Sequence, residues 1–207
     1  MFLTKSPSHP AFDPVLVRDP VYLRAAKPSD YSDWAALREQ SRKHLIAWEE
    51  NWAPHELSLN AFKRRLAAQS KDARRGGGLS LLAFRRDDRA IVGGVTLTNI
   101  RYGASRSGIL GYWVGEPYAR QGYGSAAVRA VIDHAFDTIE LHRIIAACQP
   151  ENVASQNLLE RCGFRKEGLA RDYLRINGAW RDHLIFSLIA ADRSGEPEPG
   201  AISSTLR

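Results

Sequence analysis

The stretch Gly111-Tyr-Trp-Val-Gly-Glu-Pro-Tyr-Ala-Arg-Gln-Gly-Tyr-Gly-Ser-Ala-Ala-Val128 carries the clearest chemistry in the chain. An apolar strand runs into a glycine-punctuated turn that opens an amphipathic helix. Gly122 and Gly124 lack a Cβ, so backbone there can come within hydrogen-bonding distance of an anion. The amides of Gln121, Gly122, Tyr123, Gly124 and Ser125 are the unpaired N–H groups of a helix start. Aligned peptide dipoles add roughly half a positive charge at that end, which suits a pyrophosphate. A plain tight turn would use the same two glycines, so the rest of the chain has to decide.

A second group is Asn152 with Ser155, at the start of a predicted helix that ends near Cys162. Capping accounts for either residue, because a side-chain oxygen there accepts from a free amide of the first turn. Glu116 beside the glycine turn, and Glu49 or Glu50 further upstream, are candidate bases, and each also reads as a solvated surface carboxylate. Tyr112 has a hydroxyl able to reach a cleft, although an aromatic on a central strand equally fills a core. Cys148 has no histidine fixed near it by sequence, so it reads as a buried strand thiol rather than a nucleophile. The six histidines, at positions 9, 44, 55, 134, 142 and 183, lack ligand spacing, and no metal site is expected.

The elements that must position these residues follow from periodicity. Val21 to Ala25 alternates as a strand, and Ser29 or Asp30 can cap a helix with Trp34, Leu37 and Leu45 at helical intervals. A second helix is predicted after Pro54, with Leu57, Phe62 and Leu66 inward. Strands are predicted over Leu79 to Arg85, Ile91 to Ile100 and Gly108 to Val114, joined by turns at Asp87-Asp88 and Tyr102 to Ser107. A helix over Gly122 to Phe136, a buried strand over Arg143 to Cys148, and a helix over Val153 to Cys162 stopped by Gly163 come next. Asn177-Gly178 between Asp172 to Ile176 and His183 to Ile189 marks a type I′ hairpin. Residues up to about Pro20 read as a loosely held lead-in, residues 21–191 as one domain, and residues 192–207 as a polar, proline-rich disordered tail. This order gives an α+β fold, a mixed and mostly antiparallel sheet flanked by helices.

Composition narrows the class. At 207 residues with 44% hydrophobic and 25% charged residues, the chain can bury a full core. No apolar run reaches the length of a membrane span and no signal-peptide core is visible, so a cytoplasmic protein with no membrane partner is expected. Two cysteines exclude a disulfide framework. A formal net charge of +6 favours anionic ligands, either nucleotide phosphates or a basic surface near RNA.

Gly111-Tyr-Trp-Val114, Gly122-Tyr-Gly124, Asn152-Val-Ala-Ser155, Leu158-Leu-Glu-Arg-Cys-Gly-Phe164 and Glu167-Gly168, in that order, resemble the GCN5-related N-acetyltransferase (GNAT) superfamily and its RimJ/RimL-type ribosomal-protein N-terminal acetyltransferases. The resemblance covers about Val21 to Ala190. It implies acetyl-CoA as cosubstrate, in a cleft where the fourth predicted strand splays from the fifth. The pyrophosphate would sit on the glycine turn, Trp113 and Val114 would offer backbone hydrogen bonds to the pantetheine arm, and Asn152 would bind that arm or the turn. Ser155 would stand near the thioester sulfur on the leaving-group side. Trp48, in His44-Leu-Ile-Ala-Trp-Glu-Glu50, resembles the substrate-side segment, and Asn99 and Tyr112 are further candidates to face the acceptor. One departure is Ala119 where the family begins the phosphate turn with Gln or Arg; Arg120 would supply charge from a shifted position.

The resemblance implies acetyl transfer by direct attack in a ternary complex, with the N-terminus of a ribosomal protein, alanine or serine first, as acceptor. Association with the ribosome is a possible accompaniment, and monomer and homodimer both stay open. Two other readings remain. A small-amine acetyltransferase, acting on an antibiotic or polyamine, would need an enclosed acidic pocket. A noncatalytic ribosome- or RNA-associated factor would keep the fold and bind through phosphate contacts.

Overall fold

The computed structural model describes residues 12–194. Its strands are β1 (Leu16–Arg18), β2 (Val21–Arg24), β3 (Leu79–Arg85), β4 (Ile91–Arg101), β5 (Ser107–Val114), β6 (Arg143–Cys148), β7 (Arg165–Ile176) and β8 (Ala179–Ile189). They form one sheet in the order β1-β2-β3-β4-β5-β6-β8-β7. Every neighbouring pair is antiparallel except β5 with β6. The helices are α1 (Tyr31–Gln40), α2 (Arg42–Leu45), α3 (Leu59–Arg74), α4 (Tyr123–Asp137), α5 (Val153–Arg161) and α6 (Ala190–Ser194).

Alternation along the strands divides the core in two. Leu81 and Ala83 of β3 join the cluster built with Val128 and Val131 of α4 and Leu159 of α5, whereas Leu82 and Phe84 join Trp34 and Leu37 of α1 and Phe62 of α3. Successive side chains of a strand point to opposite faces, so α4 with α5 and α1 with α3 cover opposite sides of the sheet. The same alternation sends Tyr112 of β5 to the α4/α5 face and Trp113 to the α1/α3 face. A single strand therefore serves both sides.

The lone parallel pairing is also short. β5 and β6 are in register from Ser107↔Arg143 to Leu110↔Ala146, and there the ladder ends. Beyond it, Gly111 to Val114 stay paired with β4, and Ala147 and Cys148 stay paired with β8. Each strand has a committed partner on its outer side, so the two part and leave an open edge between them.

Some expectations needed correction. The lead-in is not loose throughout: Phe12 is buried and Leu16–Arg18 pairs with β2, because a strand of only three residues carries too little periodicity to show in sequence. Residues 1–11 lie outside the described part. At the other end, the domain runs into α6, where Asp192 pairs with Arg165, and Arg193 pairs with Asp133 and Asp137. The expected tail beyond residue 194 lies outside the described residues. Asp30 does not cap α1 through its side chain; it accepts from Arg24 and from the Lys27 amide instead. The second predicted helix starts later than Pro54, at Leu59, where Ser58 Oγ accepts from the Ala61 amide at 3.3 Å. That leaves residues 46–58 as an irregular loop.

Candidate active site

The turn between β5 and α4 is shaped by two backbone requirements. Gly122 has φ +85° and open space around its missing Cβ, so glycine is needed there for the left-handed conformation. Gly124 has ordinary φ, yet a Cβ would lie 2.9 Å from Val114 Cγ2 and 3.0 Å from Leu158 Cδ1. Its smallness lets α4 start against β5 and α5. Arg120 is also left-handed, φ +60°, with its side chain exposed. Gln121 Nε2 donates to the Pro117 carbonyl at 2.7 Å, which ties the turn to itself.

Among the described residues no side chain caps α4. Its first helical hydrogen bond is from the Ala126 amide to the Gly122 carbonyl at 3.0 Å, which leaves the preceding amides of Tyr123, Gly124 and Ser125 outside the helical ladder. Free amides at a helix start, together with the helix dipole, are able to receive an anion.

Inside that edge, Tyr112 and Ser155 meet. The Tyr112 hydroxyl lies 2.7 Å from Ser155 Oγ and 3.3 Å from the Ser155 carbonyl oxygen. Burial pushes the Tyr112 phenol well above its usual range, against the opposing pull of Ser155, so Tyr112 stays a neutral hydroxyl. Asn152 Oδ1 accepts from the Ser155 amide at 3.0 Å and is thus the N-cap of α5. Its side-chain NH₂ is not consumed by that bond. Burial raises the Cys148 thiol too, consistent with a packed thiol that does not act as a nucleophile.

On the opposite face lies a cleft of about 300 Å³. Its floor and walls include Trp34 and Arg38 of α1, Phe62 and Arg65 of α3, Gly94 and Thr96 of β4, and Trp113 of β5; Glu49, Glu50, Asn51, Trp52 and Glu56 of the 46–58 loop form the rim. Arg38 is 6% exposed and holds the wall together. Its guanidinium forks onto Glu49 at 2.8 and 2.6 Å, and lies 4.4 Å from the ring centroid of Trp52 and 4.9 Å from that of Trp113. Trp52 Nε1 donates to the same Glu49 carboxylate at 2.7 Å. Trp113 can lie here because β4 carries Gly94, where a Cβ would come within 2.6 Å of the indole nitrogen.

Two hydrogen bonds connect this face to the other. Ser41, fully buried at the end of α1, accepts through Oγ from the Glu116 amide at 2.9 Å, joining α1 to the segment that leads into the glycine turn. Gln149, just after β6, donates from Nε2 to the Ala47 carbonyl at 3.1 Å and anchors the 46–58 loop across the opening.

The sequence candidates are thus distributed unevenly. Trp113, Val114, Arg120, Gln121, Gly122, Tyr123, Gly124, Ser125, Tyr112, Asn152 and Ser155 all fall on or beside the open edge of β5. Glu116 stands exposed on the outer side of the glycine turn and does not line the cleft. Trp48 is half-buried and does not line the cleft; Trp52, four residues on, does. Asn99 is exposed at a bulge of β4, five residues beyond Gly94 or roughly 17 Å along the strand, near the paired end of β5 rather than its open end. Arg38, Trp52, Glu56 and Arg65 were missed. The sequence holds many arginines, and nothing in its spacing says which one a later loop will cover.

The comparisons with known proteins agree with this arrangement. An acetyltransferase (GNAT) domain model matches residues 21–165. The chain belongs to the GNAT acetyltransferases. Mycobacterium smegmatis RimJ, solved in complex with CoA-disulfide, superposes with a TM-score of 0.84 at 33% identity, covering 89% of this chain and 91% of that one. The ribosomal protein uS5-alanine N-acetyltransferase of Escherichia coli is 30% identical over 177 residues, 86% of this chain and 91% of the relative. The ribosomal-protein-serine acetyltransferase of Escherichia coli is 25% identical over 139 residues, 67% of this chain and 76% of the relative. As a GNAT enzyme the chain is an N-acetyltransferase that uses acetyl-CoA. Among the described residues no group of histidine, cysteine and carboxylate side chains could hold a metal, and no helix is long and apolar enough to cross a membrane.

Proposed function

We propose that this GNAT enzyme acetylates the N-terminal α-amine of a ribosomal protein, alanine or serine first, by direct attack in a ternary complex. The observation that carries the proposal is that the stretch of β5 without a β6 partner serves both faces, with Tyr112 against Ser155 on the α4/α5 side and Trp113 in the cleft on the α1/α3 side. Acetyl-CoA enters from the first side, with its diphosphate on the amides of the α4 turn and its pantetheine arm along Trp113 and Val114. The acceptor enters from the second. Both reach the gap where β5 has no partner, so neither substrate has to leave before the other binds.

The chemistry asks little of the protein beyond this alignment. An α-amine has a pKa of about 7.7 to 8.0, so roughly a tenth of it is neutral at pH 7, whereas a lysine amine is neutral about once in a few thousand. Positioning therefore contributes more than a strong base would. On the leaving side, with Tyr112 as the donor of its 2.7 Å hydrogen bond with Ser155 Oγ, the serine proton would be free to meet the departing thiolate. Asn152 holds Ser155 at the head of α5, and its NH₂, not engaged in that bond, would bind the pantetheine arm.

The relatives named for ribosomal-protein alanine and serine acetylation support this acceptor class, and so does a cleft rimmed by an exposed loop instead of being closed over. The test is intact-mass analysis of purified small-subunit ribosomal proteins and a panel of small amines after incubation with acetyl-CoA, with fragmentation to locate the added group. One acetyl on one α-amine is the expected result. Turnover of small amines only would replace the proposal with a metabolic or detoxifying amine acetyltransferase.

A further inference from the structure

The cleft on the α1/α3 face holds three carboxylates, and they are not equivalent. Glu49 is spent on the Arg38 guanidinium and the Trp52 N–H. Glu56 is paired with Arg65. Glu50 has no ion pair among the described residues, so its negative charge is the unbalanced one in the cleft. Each indole lining the cleft already carries a guanidinium, Arg38 against Trp52 and Trp113, Arg42 against Trp52, and Arg65 against Trp34, so a carboxylate is the better seat for a further cation.

We propose that Glu50 receives the ammonium of the acceptor, and that the cleft selects an amine with one positive charge followed by uncharged, carbonyl-bearing groups. The proposal rests on the reading of this cleft as the acceptor site. A second positive charge on the acceptor would meet Arg38 and Arg65, whose partners are already committed, so a polyamine gains nothing beyond its first ammonium. The wall also contains an unused donor. Arg38 Nε–H is buried with no acceptor among the described residues, and a buried donor in that state gains from any oxygen that reaches it. Reaching it requires Trp52 and its irregular loop to shift, because the atom has no solvent exposure in this structure; the carbonyl that follows an α-amine is then such an oxygen, and an alkylamine has none. Glu50 is exposed at the rim, so its role is to bind and orient the amine while bulk water takes the proton.

The test uses three probes with CoA present: an alanine-first tetrapeptide amide with no charged side chain, its N-acetylated form, and 1,4-diaminobutane. Binding is read from the tryptophan fluorescence of wild type, Glu50→Gln and Glu49→Gln, and turnover of the tetrapeptide is measured in parallel with acetyl-CoA. Wild type should bind the free-amine peptide about tenfold or more tightly than the acetylated peptide. It should also bind that peptide more tightly than the diamine. Glu50→Gln should erase the preference for the free amine while CoA affinity and Tm stay at the wild-type level; Glu49→Gln should weaken both peptides alike. A preference that survives Glu50→Gln, or is absent from wild type, overturns the proposal, and diamine binding equal to peptide binding overturns its single-charge part. Glu50-dependent binding without turnover would retain the ammonium site and remove α-amine acetylation as the enzyme's reaction; turnover indifferent to Glu50→Gln would do the reverse.

Discussion

The two faces of the sheet are built from different materials. On the α4/α5 face the site is mostly backbone: amides at a helix start, an unpaired strand edge, a left-handed glycine, and one hydroxyl pair. On the α1/α3 face it is mostly side chain: a buried arginine, two indoles, and carboxylates on an irregular loop. Backbone groups are fixed by the fold and suit a cosubstrate that never changes. Side chains can be exchanged without disturbing the sheet, which suits a face that must match one acceptor among many. Substitutions on the two faces should therefore produce separable effects.

The largest effect is expected at the Arg38–Glu49 pair. Glu49→Ala leaves a buried guanidinium without its counter-charge, at a cost of about 3 kcal/mol, softened because the glutamate itself is partly exposed. Thermal unfolding should show a clear fall in Tm, and acceptor KM should rise while CoA affinity holds. The double substitution Arg38→Met with Glu49→Leu should recover much of the stability without recovering acceptor binding, which separates packing from recognition.

Next in size are the two hydroxyls. Ser155→Ala should lower kcat by about a hundredfold, at the low end of what a positioned proton donor supplies. Tyr112→Phe should lower it less, and the double variant should be no worse than Ser155→Ala, since the two act through one hydrogen bond. Strict additivity in steady-state kcat would break the pair.

The glycines sharpen the backbone side. Gly124→Ala puts a methyl within 3.0 Å of Val114 and Leu158 and should cost about 1 to 2 kcal/mol in acetyl-CoA binding through a displaced α4. Gly122→Ala meets open space and should cost about 1 kcal/mol through its left-handed φ. Calorimetric titration of CoA into both variants checks the order.

The smallest effect concerns pH. Burial alone would raise the Asp30 carboxyl, but hydrogen bonds from Arg24 and the Lys27 amide more than offset it and hold the group below the usual carboxylate range. A depressed folded pKa means the stabilisation is complete above the unfolded value and is lost as pH falls through the folded one. Urea midpoints measured from pH 6 down to about pH 2 should decline more steeply for wild type than for Asp30→Asn.

The same contrast explains what the sequence could reveal. Gly122, Gly124, Asn152, Ser155 and the strands on either side are local signals, each with a short-range physical cause, and they marked the cosubstrate side and all but the edges of the sheet. Leu16–Arg18 escaped because three residues show no period, and the start of β7 at Arg165 escaped because an exposed edge strand has no buried alternation. On the acceptor side, Trp52 and Arg38 are fourteen residues apart with a helix end between them, and only the return of the loop makes them neighbours. Trp48 and Asn99 looked equally suitable by type; position in the fold separates them from the cleft.

The most direct test of the two-face account is calorimetric titration of CoA into wild type, Gly124→Ala and Trp52→Ala. The account predicts weaker CoA binding for Gly124→Ala and wild-type affinity for Trp52→Ala. A loss of CoA affinity in Trp52→Ala as large as that in Gly124→Ala would contradict it, because the cosubstrate would then have to lie against the cleft assigned to the acceptor.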